Sequence, residues 1–172
     1  MPTLTVEDGT GLAAANAYIS LADANTYWSD RGGDTVWDAA ADAVKEAGII
    51  KATDYIEVRF GHRFLGIPLT TTQALEFPRS YLYDRYGNLI EGVPTKLANA
   101  CAEYAQRAIS AALWNEPYID TKGRRVVERN KVGPIEEDIR YVFTEPITTI
   151  KPVPAADNLL RGFMLSPDTV MR

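Results

Sequence analysis

A single cysteine and a single histidine set the first limits on this chain. With one cysteine no intramolecular disulfide can form. Cys101 lies among Ala100, Ala102 and Ala105 and reads as a small packing residue, since nothing beside it would lower the thiol pKa. With one histidine, a metal site built from two histidines of the same chain is excluded, and His62 reads as a loop residue near a helix end. No Gly-x4-Gly-Lys-Ser/Thr loop occurs, and Gly9-Thr10-Gly11-Leu12-Ala13-Ala14 lacks the buried strand that a dinucleotide loop needs before it. The carboxylates of Glu136-Glu137-Asp138, and of Asp38 with Asp42, have no histidine or second acidic motif at ligand spacing, so they read as solvated charge. The expectation is a protein without catalytic residues, cofactor or metal, and not an enzyme.

Long apolar runs are missing too. The longest are interrupted by Asp, Lys or Arg well short of the roughly 20 residues that span a bilayer, and residues 1–8 carry no basic leader region. These absences predict a soluble protein made in the cytoplasm with no membrane contact. What is present is an ordinary globular composition, 46% hydrophobic and 24% charged over 172 residues, enough for one buried core. Positive charge is in deficit, at net −5, which argues against wrapping DNA over the whole surface. It is also unevenly placed. Lys122, Arg124, Arg125, Arg129 and Lys131 against Glu128 give one strip +4, leaving −9 on the rest. Two readings of the strip stand side by side: contact with DNA phosphates, or a charged edge that keeps a strand soluble. No aromatic residue lies inside it, and Tyr118 and Tyr141 only flank it.

The pattern predicts a mainly α fold: a small helical bundle with a short β-hairpin, extended arms and a short C-terminal helix. Residues 1–117 form a helical core with an N-terminal arm, 118–150 a β-like arm of the same domain, and 151–172 a tail. Thr3 to Val6 alternates like a short strand before the turn at Glu7-Asp8-Gly9-Thr10-Gly11. Ser20 caps a helix from Leu21, with Asp23 in its first turn and Arg31-Gly32-Gly33 at its end. Apolar residues at three- and four-residue intervals predict a long helix over 38–60, opened by Trp37-Asp38. Residues 61–79 read as loop, and a small hairpin is expected around Asp84-Arg85-Tyr86-Gly87-Asn88. Pro94 begins an alanine-rich helix to near Trp114, close-packed on the first. Short strands are expected between 124 and 143. After Pro146, Pro152 and Pro154 a helix over 155–165 would leave Leu159, Leu160, Phe163 and Met164 open to a partner.

Five segments carry a resemblance: residues 6–12 (VEDGTGL), 16–24 (NAYISLADA), 52–56 (ATDYI), 73–79 (QALEFPR) and 131–135 (KVGPI). Together they resemble a phage and prophage family labelled DnaT-like single-stranded-DNA-binding protein, similar in layout to siphophage head-to-tail connectors, the adaptor or head-completion proteins. The resemblance implies a virion protein of the neck that assembles as a dodecameric ring on the portal after DNA packaging. Its partners would be the portal, further copies of itself, the next neck or tail protein, and double-stranded DNA passing without sequence specificity. It places Leu159, Leu160, Phe163 and Met164 at the portal, while Lys122, Arg124, Arg125, Arg129 and Lys131 are the candidates for facing DNA. The alternative is the single-stranded-DNA binder of the label, to which an acidic chain without interleaved aromatic and basic residues is poorly suited.

Overall fold

The structure is a computed structural model that describes residues 3–114, 127–132, 135–140 and 152–164. Residues 1–113 with 152–172 form one compact unit and 114–151 a second.

The first unit is helical because its capping and apolar spacing agree. Helix α1, Leu21–Ser29, starts at Ser20, whose hydroxyl accepts the Asp23 N–H at 3.0 Å, as expected from the sequence. Where one helix over 38–60 is predicted, the chain makes two, α2 (Thr35–Ala39) and α3 (Asp42–Phe60), separated by the extended residues Ala40 and Ala41. The reason lies in Asp34 and Trp37. The Asp34 carboxylate caps α2 through the N–H groups of Val36 and Trp37. Trp37 is buried, its indole N–H donating to Asn25 and its ring tilted against Trp28. These contacts fix α2 in its own direction, although neither glycine nor proline marks the break.

Helix α4, Thr95–Ser110, follows Pro94 and packs on α3. Small residues bring the two axes together: Ala52, Ala102 and Ala105 are buried, and a Cβ on Gly48 would lie 3.1 Å from the Ala105 carbonyl. α4 stops at Ser110, short of Trp114, because Ala111 takes an extended backbone. Cys101 is fully buried and burial pushes its thiol up to about 11, so it packs as a small apolar residue. His62 sits exposed in the turn Gly61–Arg63 that ends α3. Among the described residues no helix is long and apolar enough to cross a membrane, and no group of three His, Cys, Asp or Glu could hold a metal ion.

The N-terminal strand expected over residues 3–6 is only a parallel bridge between Val6 and Ala17. Asn16 takes the place of a strand partner, accepting from the Thr5 N–H and donating to the Thr3 carbonyl. The segment 6–12 then closes around one carboxylate. Buried Glu7 accepts the N–H groups of Gly9, Gly11 and Leu12 at 2.8–2.9 Å.

The tail overturns one expectation. Helix α5, Pro154–Leu160, and the turn Arg161–Phe163 do form, but their apolar residues are not open to a partner. Leu160 and Phe163 are buried, while Leu159 and Met164 pack partly against the same core. The Tyr104 hydroxyl donates to Asp157, which also lies 3.4 Å from Arg59, so α3 and α4 hold α5 by polar contacts as well. The Phe163 carbonyl accepts the Leu65 N–H at 2.8 Å, and Met164 bridges Phe64. A short helix with one apolar face is stable where that face is covered, and here the chain covers it itself.

The second unit contains the antiparallel hairpin β3 (Val127–Val132) and β4 (Ile135–Arg140). Its register sets Arg129 opposite Asp138 and Lys131 opposite Glu136. Lys122, Arg124 and Arg125 lie outside the described residues, as do the expected strand at Tyr141-Val142-Phe143 and residue 165. The protein is thus mainly α, with short antiparallel pieces.

Candidate functional site: a tyrosine flap between two grooves

Residues 61–92 carry most of the exposed large hydrophobic side chains among the described residues, and the base of this segment is tied by Arg79. A two-residue ladder pairs Ile67–Pro68 (β1) with Arg79–Ser80 (β2). The Arg79 guanidinium turns inward, donating to the Leu65 carbonyl at 2.8 Å, the Gly66 carbonyl at 2.9 Å and the Glu76 carbonyl at 3.2 Å, and pairing with the Glu76 carboxylate. Gly66 is required here, since a Cβ would lie 2.5 Å from the Ser80 carbonyl and its φ is +76°. Gln73 spans the same loop, accepting the Thr70 N–H and donating to the carbonyls of Leu75 and Pro78, the latter following a cis bond at Phe77–Pro78. The segment 73–79 therefore fixes where the chain leaves β2.

From that point residues 81–90 fold back as the expected hairpin flap. Leu82 is buried and accepts the Ile90 N–H, and Tyr83 bridges Leu89. Asp84 organises the turn, accepting the N–H groups of Tyr86 and Asn88 and the Asn88 side-chain amide. Those bonds, the Asn88 amide first, hold its carboxyl below the ordinary range. Tyr81 lies in the left-handed region at φ 58° and is 70% exposed; Tyr83 is 50% and Tyr86 73% exposed. Arg85 lies over the Tyr86 ring, 4.6 Å from its centroid, and donates to its hydroxyl.

Two open grooves flank the flap. One, about 490 Å³, has Leu69, Pro78, Leu89 and Ile90 with Tyr81 and Tyr83, and Gly9, Glu91 and Gly92 at one end. The other, about 570 Å³, is lined by Arg85, Tyr86, Lys96, Pro94 and Phe163, with Asp84 as its one acid. The grooves differ in charge. Arg79 is the cation of the first and is spent inward, whereas Arg85 and Lys96 belong to the second, beside the α4 N-terminus, which has no acidic residue in its first turn.

Of the residues singled out from sequence, Phe163 lines the second groove. Leu160 and Phe163 belong to the core, and Arg129 and Lys131 lie on β3 of the other unit. Sequence reasoning expects the flap but does not single it out as a site, although a signal exists: five of the eight residues 79–86 are Arg or Tyr, an interleaving of basic and aromatic residues that the basic strip itself lacks.

Beside Glu76, at the base of this segment, lies a half-buried acid. Glu57 of α3 accepts from the Tyr18 hydroxyl and, at 2.8 Å, from the Glu76 N–H. Desolvation raises its pKa to about 7, against the opposing effect of those hydrogen bonds. A carboxyl whose pKa is raised on folding stabilises the folded state below its unfolded value and stops doing so as pH climbs through the folded one. We expect Glu57→Gln to flatten the fall in stability between the ordinary carboxylate range and about pH 7, a difference on the order of 3 kcal/mol. Urea titrations at stepped pH measure it, and parallel pH curves for both proteins would refute it.

The first unit is thus a small helical scaffold that carries an exposed aromatic flap. A family model described as "Putative DnaT-like ssDNA binding protein" matches residues 2–171, and the chain belongs to that family. Neither a curated protein nor a solved structure matches it.

Proposed function

We propose that the chain is a structural virion protein, a head-to-tail connector subunit that forms a ring, expected to be dodecameric, on the portal after DNA packaging. It would contact the next neck or tail protein and form part of the DNA passage. The observation that carries this reading is the uncovered groove, where Leu69, Tyr81, Tyr83 and Leu89 are exposed side by side. Surfaces of this kind mark places where another molecule sits, and a ring covers the same patch on every subunit. The net charge of −5 also suits a passage along which DNA slides without sticking. Cryo-electron microscopy of the virion neck tests the reading: a ring of this helical chain between portal and tail is expected, and a neck built without it sinks the proposal.

A second reading, single-stranded-DNA binding, is favoured by the other groove. Tyr86 offers a ring for base stacking, and Arg85, Lys96 and the α4 N-terminus offer positive charge for phosphates. On this reading Tyr86→Ala with Arg85→Ala weakens oligonucleotide binding at low salt at least tenfold, by loss of a stacking contact worth about 1–3 kcal/mol. Unchanged binding in that variant excludes the site.

A further inference from the structure

The first groove has an acidic end and an apolar floor, and one segment of this chain has the matching chemistry. A Cβ on Gly9 would lie 3.1 Å from the Gly92 Cα, so the loops bearing Asp8 and Glu91 are neighbours at that end. Both acids are exposed, and neither forms an ion pair among the described residues. Asp8 is held in place by the Thr10 N–H and hydroxyl. Arg79 is committed inward, and the carboxylate that lines this groove is Glu91, with Asp8 on the neighbouring loop, so the groove disfavours a phosphate. The occupant that fits carries positive charge and short apolar side chains.

The basic strip supplies such a segment once its internal balance is taken into account. The hairpin register sets Arg129 opposite Asp138 and Lys131 opposite Glu136, so each of these basic positions has an acidic position as its ladder partner. The unbalanced charge is that of Lys122, Arg124 and Arg125, which Val126 and Val127 follow directly.

We propose that the groove formed by Leu69, Pro78, Tyr81, Tyr83 and Leu89 receives residues 122–127 of a second copy, with the arginines at Asp8 and Glu91 and the valines on the apolar floor. A segment of one copy entering a different surface of the next is a heterologous contact, which closes into a ring when its rotation permits. The inference rests on the ring-subunit reading and names the contact that would build the ring.

A cross-linking experiment on the full chain tests it. Heavy-isotope copies carrying a photoreactive benzophenone side chain in place of Tyr83 are mixed with light copies, irradiated, and analysed by mass spectrometry. Links from position 83 to residues 122–127 of the light copy are expected. They should fall at least tenfold when Asp8→Lys and Glu91→Lys are placed on the heavy copy, or Arg124→Glu and Arg125→Glu on the light one. Mixing the two altered copies should restore them, because the charges then match again. Links to other segments, links confined to one copy, or yields indifferent to charge overturn the proposal. So does loss of oligonucleotide binding in Arg124→Glu, Arg125→Glu with the links unchanged, which makes the segment a nucleic-acid contact. A neck ring whose groove holds some other segment removes this docking and leaves the connector standing. The expected links in a protein absent from the neck remove the connector and leave the docking.

Discussion

Leu160→Asp is expected to unfold the first unit or expel α5 from it, rather than to create a folded protein with a blunted binding face. Leu160 is fully buried. Removing a buried leucine costs about 2–5 kcal/mol in lost transfer energy and residual cavity, and placing a carboxylate there adds a desolvation cost of several kcal/mol unless the acid stays protonated. Domains of this size have roughly 5–15 kcal/mol in total, so the substitution removes much of the margin. Thermal unfolding followed by circular dichroism should show Tm falling by more than about 10 °C. A conservative partner separates burial from charge: Leu160→Met should stay within about 1.5 kcal/mol of the original protein. If Leu160→Asp melts like the original, α5 is not part of the core, and its apolar face is free for a partner after all.

That result bears on how much of this protein can be read from its sequence. The features legible in advance are those settled within a few residues: the Ser20 cap, Pro94 ahead of α4, the turn centred on Asp84, and the helical character of the segment that becomes α5. Where α5 goes is another matter, because Asp157 meets Tyr104 and Arg59, far away in the chain. A proline-rich approach and four apolar residues look the same whether the receiving surface belongs to this chain or to another. The break between α2 and α3 is hidden for a similar reason, since it depends on Trp37 finding Asn25 and Trp28. At the flap the local signal points to a turn and stops there. Residues 79–86 read as a hairpin because Gly87 and Asn88 dominate that signal, while the exposure of Tyr81, Tyr83 and Tyr86 depends on Leu82 alone turning into the core.

Arg79→Ala is expected to release the flap from its base and to cost about 3–5 kcal/mol, because it leaves a partly buried carboxylate and several carbonyls without their donor. The side chain is 7% exposed and its donors point to Leu65, Gly66 and Glu76. Only a planar fork reaches loop 64–66 and Glu76 together, so Arg79→Lys should recover little of the loss. Hydrogen exchange distinguishes this from general softening. Amides of the flap, Ile90 among them, should exchange faster in both variants, while those in the middle of α4, such as Tyr104, keep most of their protection. Equal loss of protection across both would mean that Arg79 supports the whole core and does not aim the flap. If the flap is also the docking surface, Arg79→Lys should weaken the cross-links from position 83 although it touches neither Asp8 nor Glu91. Its effect would come through the position of Tyr81 and Tyr83, the residues that leave β2 where Arg79 holds it.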